Sequence, residues 1–471
     1  MLKLVLGASG SGKTTLLYAR IRARAEAGKR SILLVPEQFT SSTEARIYRE
    51  LGDALSGMVE SYSFTSLAEH ILAIEGGAAV QTLTDAGRAV LVRRALEELQ
   101  DNVHYYYRHR RSAAFCQMAA ETIDELKSAG LSGQQLQELA RDCGTESAKL
   151  GELALIFQGY ESLLAGTGMD PADRLELAAD RLEAALARDE LPDFLREREV
   201  FIDEFDTFNA PKKRLMGAML AALPAVTVAL CEDGAPMQPG DLELFSGAKQ
   251  VAAQLRQLAR KNGAQVAAPE LLRRDLRHKD APGLAALTEL LETGSCTPPE
   301  SAPELRLFAA ASREEEARCA AAAIRRLMRQ GVRCGKIAVV CRDISLYRAA
   351  VRYEFRMAEI PLYCDEPTTP EFSAPATAVR ALLALLRGAD MTEQLTVLAK
   401  TGLCDLTEPE VCALENYAYT WSPNAAAWRA EFTKSPRGFG DAELTEEDTL
   451  NLTRAENARK KLVTAVDTLR S

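Results

Sequence analysis

The sequence predicts an α/β fold in which two blocks of alternating strands and helices are joined to stretches that are helical throughout. A glycine-rich loop stands between an apolar strand and a helix near the N-terminus. Strand and helix patterns alternate along much of the chain, and such alternation gives parallel sheets with ligand sites at the carboxyl ends of the strands. We predict α/β segments at 1–78, 196–300 and 301–375, and all-helical insertions at 79–195 and 376–471.

The glycine-rich loop predicts a nucleotide site. Residues Gly7–Thr14 read G-A-S-G-S-G-K-T and fit the phosphate-binding pattern G-x-x-x-x-G-K-[ST] at every fixed position. The apolar run Leu2–Leu6 precedes the loop and a helical stretch follows it. In this motif Lys13 reaches the β- and γ-phosphates of ATP, and the Thr14 hydroxyl holds Mg²⁺. The predicted nucleotide-binding residues are Gly7, Ala8, Ser9, Gly10, Ser11, Gly12, Lys13, Thr14 and Thr15.

A second strand of the first block predicts the metal-binding and catalytic carboxylates. Val200–Ile202 is an apolar strand that ends in Asp203 and Glu204. Asp203 is predicted to lie beside the Mg²⁺ bound to Thr14, and Glu204 to orient or deprotonate the attacking water. The other strands predicted for this block are Leu2–Leu6, Ser31–Val35, Val59–Phe64 and Val226–Leu230, with helices at Thr14–Ala27 and near Thr43–Leu51.

Residues 79–195 carry four apolar stripes at helical spacing, which we interpret as core packing. Asp170 and Pro171 open the fourth helix as N-cap and first-turn proline. The stripes comprise Leu91, Val92, Leu96 and Leu99, then Met118, Ile123 and Leu126, then Leu153, Phe157, Tyr160 and Leu164, and finally Leu175, Ala179, Leu182 and Leu186.

A proline-containing linker at 294–303 separates the second block from the first. Three apolar segments beyond it predict strands at Leu305–Phe308, Ile337–Cys341 and Ile360–Tyr363, alternating with helices. The chain ends inside a charged helical pattern without a capping signal, so we expect it to be part of a longer protein.

Composition indicates a globular protein that acts locally on its partners. The net charge of −10 argues against a surface that grips duplex DNA as a whole, and leaves open a channel lined by a few cations. No apolar run is long enough to span a membrane, and the ten scattered cysteines contain no C-x-x-C pair, which predicts a cytoplasmic protein. The segment His104–Arg111 interleaves aromatics with cations, either as a single-strand binding surface or as a solvated loop with half-packed tyrosines.

Several of these segments together resemble superfamily 1 helicases of the UvrD type, and most closely the AddB family of helicase–nuclease subunits. Only the glycine-rich loop is individually specific. The segment Tyr62–Leu67 is similar to a stretch near which UvrD-type motors contact single-stranded DNA. The other matching segments are Leu34–Thr40, Phe201–Phe205, which resembles helicase motif II, and Ile337–Arg342 with Ile360–Tyr363, which resemble the motif IV region.

The resemblance implies a P-loop NTPase with two RecA-like lobes and helical insertions, as in UvrD-like helicases. Arg342 then becomes a candidate catalytic residue that reaches the γ-phosphate across the lobe interface. The implied partners are DNA, as single strands and duplex ends, and an AddA-type subunit in a heterodimer for double-strand-break processing. A nuclease domain and an iron–sulfur cluster lie farther toward the C-terminus in that family, so we expect both outside this chain.

Some helicase features are missing from the sequence. No glutamine motif precedes the loop, and Cys231-Glu232-Asp233-Gly234 lacks the glutamine that couples nucleotide state to DNA in active motors. The sequence therefore favours an ATP- and DNA-binding subunit. Two alternatives stay open: a translocating helicase that uses Glu204 and Arg342, and a non-motor scaffold in which ATP is structural.

Overall fold

The computed structural model describes residues 1–76, 81–99, 101–235, 244–364, 370–440 and 443–470. These residues form two compact units, Met1–Leu307 and Phe308–Ser471. No helix among the residues described is both long and apolar enough to cross a membrane.

The first unit is built on a parallel sheet. In the described residues the sheet has six strands in the order β3-β2-β4-β5-β1-β6, and β5 lies between β1 and β4. Apolar residues alternate between its two faces: Leu4 packs in one core and Val5 in the other, as a sheet covered on both sides requires. The strands are β1 (Leu2–Gly7), β2 (Ser31–Leu34), β3 (Val59–Tyr62), β4 (Glu199–Ile202), β5 (Ala225–Cys231) and β6 (Glu270–Leu272).

Helices cover both faces of this sheet and form an additional helical layer. The described helices of the first unit are α1 (Lys13–Glu26), α2 (Thr40–Leu51), α3 (Asp53–Ser56), α4 (Phe64–Glu75), α5 (Asp85–Glu98), α6 (Ala113–Ser128), α7 (Gly133–Arg141), α8 (Ser147–Leu164), α9 (Pro171–Ala187), α10 (Ala210–Ala222), α11 (Ser246–Lys261) and α12 (Pro282–Thr293). Helices α5, α6 and α8 share a core of their own, whereas α9 packs with α4 and α10 against the sheet.

The strands predicted for the first block are confirmed, with a correction at Phe64. This residue begins α4 and does not belong to β3. The reason is a capping box: the Ser63 hydroxyl accepts the N–H of Ser66 at 3.1 Å, and the Ser66 hydroxyl accepts the N–H of Ser63 at 2.8 Å. β6 was not anticipated.

The predicted apolar stripes of the helical stretch are buried in large part, but Met118 is wrong. Its side chain is 57% exposed, and the buried face of α6 is formed by Cys116, Ala119, Ala120 and Ile123. Small side chains on that face allow α5 to approach α6 closely, so the stripe falls beside Met118 and does not include it.

The second unit is helical in its described residues, and the three strands predicted there are wrong. Leu305–Phe308, which crosses the unit boundary, and the segments Ile337–Cys341 and Ile360–Tyr363 have no strand hydrogen bonding. Their apolar side chains are largely uncovered, with Val340 90% and Tyr363 86% exposed. Parallel strands persist when both faces are covered and neighbouring strands complete the ladder, and these segments lack both.

Two separate cores hold the helices of the second unit. Helices α13 and α14 share the smaller core, and α15–α19 share the larger one around the fully buried Trp428. The helices are α13 (Arg313–Arg329), α14 (Ile344–Met357), α15 (Ala374–Leu386), α16 (Met391–Lys400), α17 (Glu408–Trp421), α18 (Ala425–Arg429) and α19 (Glu446–Arg470).

Candidate nucleotide-binding site

The glycine-rich loop connects β1 to α1 and leaves the N-terminus of α1 open to an anion. Gly10 and Gly12 have φ angles of 82° and 91°, which residues with a Cβ rarely adopt. Gly12 is the N-cap of α1, no side chain caps it, and the first turn holds no acidic residue. Because the first N–H groups of a helix lack intrahelical partners, this end of α1 attracts negative charge.

Lys13 is folded back onto the loop that precedes it. Its Nζ donates hydrogen bonds to the carbonyl oxygens of Gly7 at 2.7 Å and Ala8 at 2.8 Å. An ammonium has three N–H donors, so one remains for a ligand in the loop. Burial lowers the pKa of Lys13, and the positive charge of Arg277 lowers it further, while Cys231 and Asp203 act in the opposite direction.

Asp203 follows β4 and reaches past the end of β5 toward the Thr14 hydroxyl. Its side chain is 5% exposed, and Oδ1 accepts the N–H of Glu204 at 3.1 Å. Burial raises the pKa of Asp203, although hydrogen bonding by Thr14 and the nearby charge of Lys13 lower it in part. The structure thus brings together the two residues that the sequence predicted as Mg²⁺ ligands.

Glu204 occupies a backbone conformation that is unusual for a residue with a side chain. Its φ angle is 65°, in the left-handed region, where non-glycine residues concentrate at functional sites. The turn directs the chain away from the sheet and leaves the Glu204 side chain exposed. Burial and the neighbouring Asp203 carboxylate raise the pKa of Glu204.

The loop has the shape and the donors that phosphate and Mg²⁺ require. A Cβ on Gly7 would lie 2.4 Å from the Ser11 hydroxyl, so only glycine fits there. The Ser11 hydroxyl is buried and has no hydrogen-bond partner. One free ammonium N–H, open helix N–H groups and an unpaired hydroxyl suit phosphate oxygens, and the Thr14 hydroxyl with the Asp203 carboxylate suits a hard cation.

An arginine that sequence reasoning missed contacts the loop. After β6 the chain crosses the loop, where Leu276 donates its N–H to the Gly10 carbonyl at 3.0 Å and Arg277 Nη1 lies 3.2 Å from the Ser9 hydroxyl. Asp275 fixes this crossing by accepting the N–H groups of Arg277 and His278 at 3.0 and 3.1 Å. The signal in the sequence was the apolar Glu270–Leu272 leading into Arg273 and Arg274, which was not interpreted as a strand.

A cavity of about 390 Å³ lies at the carboxyl ends of β2, β3 and β4, beside the nucleotide site. Gln38, Phe64 and Phe205 are among its lining residues. The rings of Phe64 and Phe205 meet edge to face with centroids 5.3 Å apart, and Lys212 Nζ lies 5.5 Å from the Phe205 centroid. Since Phe205 follows Glu204 directly, one turn of chain contributes to both the nucleotide site and this cavity.

Comparison with known proteins agrees with this geometry. A family model described as ADDB, N-terminal, matches residues 4–288. The chain belongs to the AddB family. It is 32% identical over 444 residues to an ATP-dependent helicase/deoxyribonuclease subunit of Desulforudis audaxviator, an alignment that covers 91% of this chain and 37% of that protein.

Two further AddB-family relatives bear the same name. The proteins of Moorella thermoacetica and Clostridium perfringens are 31% and 27% identical over 91% and 99% of this chain, which correspond to 38% and 41% of their own lengths. The chain thus spans about two fifths of the length of these relatives.

The remaining predicted residues of this AddB-family chain lie as follows. Ser9 and Thr15 are exposed, Ala8 is half-buried, and all three flank the loop as its pattern requires. Arg342 belongs to the second unit, and its approach to the γ-phosphate stays a prediction. Across the described residues no group of three or more His, Cys, Asp or Glu side chains is placed to hold a metal, so the Mg²⁺ hypothesis depends on Thr14 with Asp203.

Proposed function

We propose that this chain is the ATP- and DNA-binding N-terminal part of a subunit of a bacterial ATP-dependent helicase/exonuclease. The enzyme would process double-strand breaks for recombinational repair, and it would work as a heterodimer with an AddA-type subunit in the cytoplasm. The observation that carries the proposal is the meeting of Lys13, Thr14 and Asp203 at one sheet edge in an AddB-family chain. The relatives' name supports the assignment to such an enzyme.

Each residue of the nucleotide site has a proposed task. Lys13 and the N–H groups at the start of α1 hold the phosphates of ATP, and Thr14 and Asp203 hold Mg²⁺. Bound Mg²⁺ neutralises the charge that develops on the phosphate oxygens. Glu204 orients and deprotonates water, and its raised pKa suits a general base. Arg277 contacts the phosphate end that Lys13 reaches, because both cations lie at the first half of the loop.

The proposed DNA contact lies at the cavity beside this site. Bases of single-stranded DNA stack on aromatic rings, and a nearby cation attracts the phosphates. Phe64 and Phe205 with Lys212 offer that combination at the segment whose sequence resembles a DNA-contacting stretch. A nuclease domain and an iron–sulfur cluster are proposed for the protein beyond this chain, and a P-loop fold with two RecA-like lobes for its motor-like part.

A second candidate function is an actively translocating helicase. The exposed, strained Glu204 and the loop-bound Arg277 favour it, because both are groups that hydrolysis of ATP uses. DNA-stimulated ATP turnover that disappears in Glu204→Gln would support this candidate. Binding of ATP and DNA without stimulated turnover would support the leading proposal.

The decisive experiment titrates ATP–Mg²⁺ and single-stranded DNA separately against the wild type, Lys13→Ala and Lys29→Ala. Lys29 is exposed after α1 and serves as the charge-matched control. We expect Lys13→Ala to weaken ATP binding by about a hundredfold or more, since charged hydrogen bonds contribute about 1.5–3 kcal/mol each. Absence of ATP binding by the wild type would falsify the proposal. ATP binding without any DNA affinity would leave the scaffold as the better description.

A further inference from the structure

One stretch of the first unit is free of acidic residues in a chain with a net charge of −10. Between Asp101 and Glu121 the sequence contains three arginines, two histidines and three consecutive tyrosines and no Asp or Glu. The cations and tyrosines are concentrated in residues 104–111, which we call the basic loop, and it lies between α5 and α6. A segment of this composition attracts polyanions even on an acidic protein.

The basic loop is held rigidly against the helices below it. The carboxylate of Glu152 in α8 accepts the backbone N–H groups of His104, Tyr105 and Tyr106 at 2.7, 2.6 and 3.1 Å. Val103 is fully buried just before the loop. Because Glu152 is itself 9% exposed and engaged with three donors, its charge fixes the backbone and contributes little to the surface of the loop.

The rings of the basic loop form a layered arrangement. Tyr106 packs on Phe115 with ring centroids 5.0 Å apart, and Tyr105 meets Tyr106 edge to face at 4.9 Å. Tyr106 is therefore half-buried, whereas Tyr105 is 58% exposed. An exposed ring supported by a second ring is a ready platform for a nucleobase.

Cations flank this platform. Arg108, His109 and Arg111 are exposed, and the N–H of His109 donates to the Tyr106 carbonyl at 2.9 Å, which tightens the turn that carries them. The two alternatives left by the sequence both apply in part: Tyr106 packs into the helical layer, and Tyr105 with the arginines faces solvent. A purely solvated loop would need neither three backbone contacts to a buried carboxylate nor a supported, exposed ring.

We propose that the basic loop is a contact surface for a single-stranded nucleic acid, in which Arg108 and Arg111 meet phosphates and Tyr105 stacks on a base. The inference rests on the DNA-binding part of the proposed function and adds a second contact, on the helical layer, separate from the cavity at the sheet. Recognition of this kind reads the backbone and the face of a base, so it tolerates any sequence.

The test measures the affinity of the full chain for a labelled oligo(dT) strand across a series of salt concentrations. In Arg108→Ala/Arg111→Ala two phosphate contacts are lost, so we expect the slope of log K against log salt to flatten by about 1.4, or about 0.7 per phosphate on a single strand. We expect Tyr105→Ala to weaken binding by about fivefold or more at constant slope. Arg108→Lys/Arg111→Lys should retain the slope of the wild type.

The control is Arg260→Ala/Lys261→Ala, which removes two exposed cations at the end of α11. Retained ATP binding shows that each variant is folded. An unchanged slope in Arg108→Ala/Arg111→Ala, or an equal loss in the control, would overturn the basic loop as a contact. A wild type that binds ATP but no oligo(dT) would overturn the DNA-binding proposal as a whole. Binding by the wild type with no effect of the loop variants overturns this inference alone.

Discussion

The guanidinium of Arg277 donates a hydrogen bond of 3.2 Å to the hydroxyl of Ser9, so the chain that leaves β6 is attached to the glycine-rich loop that leaves β1. β1 and β6 are neighbours in the sheet, and their parallel pairing brings both carboxyl ends to the same edge. Two cations, Lys13 and Arg277, therefore lie close enough for the charge of one to lower the pKa of the other. A bound anion would relieve this repulsion.

We predict that Arg277→Ala weakens ATP binding about tenfold to a hundredfold, the range of one charge-assisted hydrogen bond. The loss should be smaller for ADP, because Ser9 and Lys13 define the end of the loop that receives the terminal phosphates. Calorimetric titration with ATP and ADP measures both. Arg274→Ala is the control, since Arg274 is an exposed arginine on the same crossing segment. Equal losses for ATP and ADP would contradict the assignment.

Glu204→Gln should abolish any ATP turnover while ATP binding stays within about twofold of the wild type. The expected loss of turnover is about a hundredfold or more, the usual contribution of a general base. A matched control is Glu197→Gln, because Glu197 is also an acidic residue with a left-handed φ, of 60°, and lies outside the site. Turnover is measured by phosphate release with and without single-stranded DNA. A variant that turns over ATP at the wild-type rate would remove Glu204 from the chemistry.

The nucleotide site was predictable because its signals are local. A strand, the glycine pattern and a helix follow one another within residues 2–26, and Asp203 comes directly after an apolar strand. Only the pairing of these segments is long-range, and the rule that ligands bind at carboxyl ends of parallel strands supplied it. Arg277 escaped prediction because β6 is three residues long and its register with β1 is set by the fold.

The errors in the second unit have a physical origin too. Val339 and Val340 have strong strand preference, but preference records how well a side chain fits a covered, pleated surface. Val340 is 90% exposed, so no such surface is present for it among the described residues of that unit. The error at Met118 is similar in kind: periodicity gives the spacing of a buried stripe, and the close approach of α5 selects which of the neighbouring residues it contains.

Asp203→Asn should make the nucleotide-free protein more stable at neutral pH. Burial raises the pKa of Asp203, so the folded state binds the proton more tightly than the unfolded state does, and stability falls as pH rises through the folded pKa. Asparagine avoids this loss. We expect a gain of about 1 kcal/mol near pH 8, the order of a buried, imperfectly satisfied polar group.

The gain should disappear below about pH 3.9, where the carboxyl is protonated in both states. Thermal unfolding across that pH range, without nucleotide or Mg²⁺, provides the measurement. The same substitution should weaken Mg²⁺-dependent ATP binding, so stability and function change in opposite directions. A gain of the same size at every pH would show that packing, and not the charge of Asp203, is responsible.

Tyr160→Phe should destabilise the junction between the helical layer and the sheet. The Tyr160 hydroxyl donates to Asp170 Oδ1 at 2.6 Å, and Lys127 Nζ contacts Asp170 Oδ2 at 2.8 Å, so one buried carboxylate ties α8 and α6 to the start of α9. Removing the hydroxyl leaves Asp170 short of a donor in a buried position, at a cost of about 1–3 kcal/mol. Urea unfolding measures the loss. Tyr105→Phe, at an exposed ring, is the control and should change stability by less than about 0.5 kcal/mol.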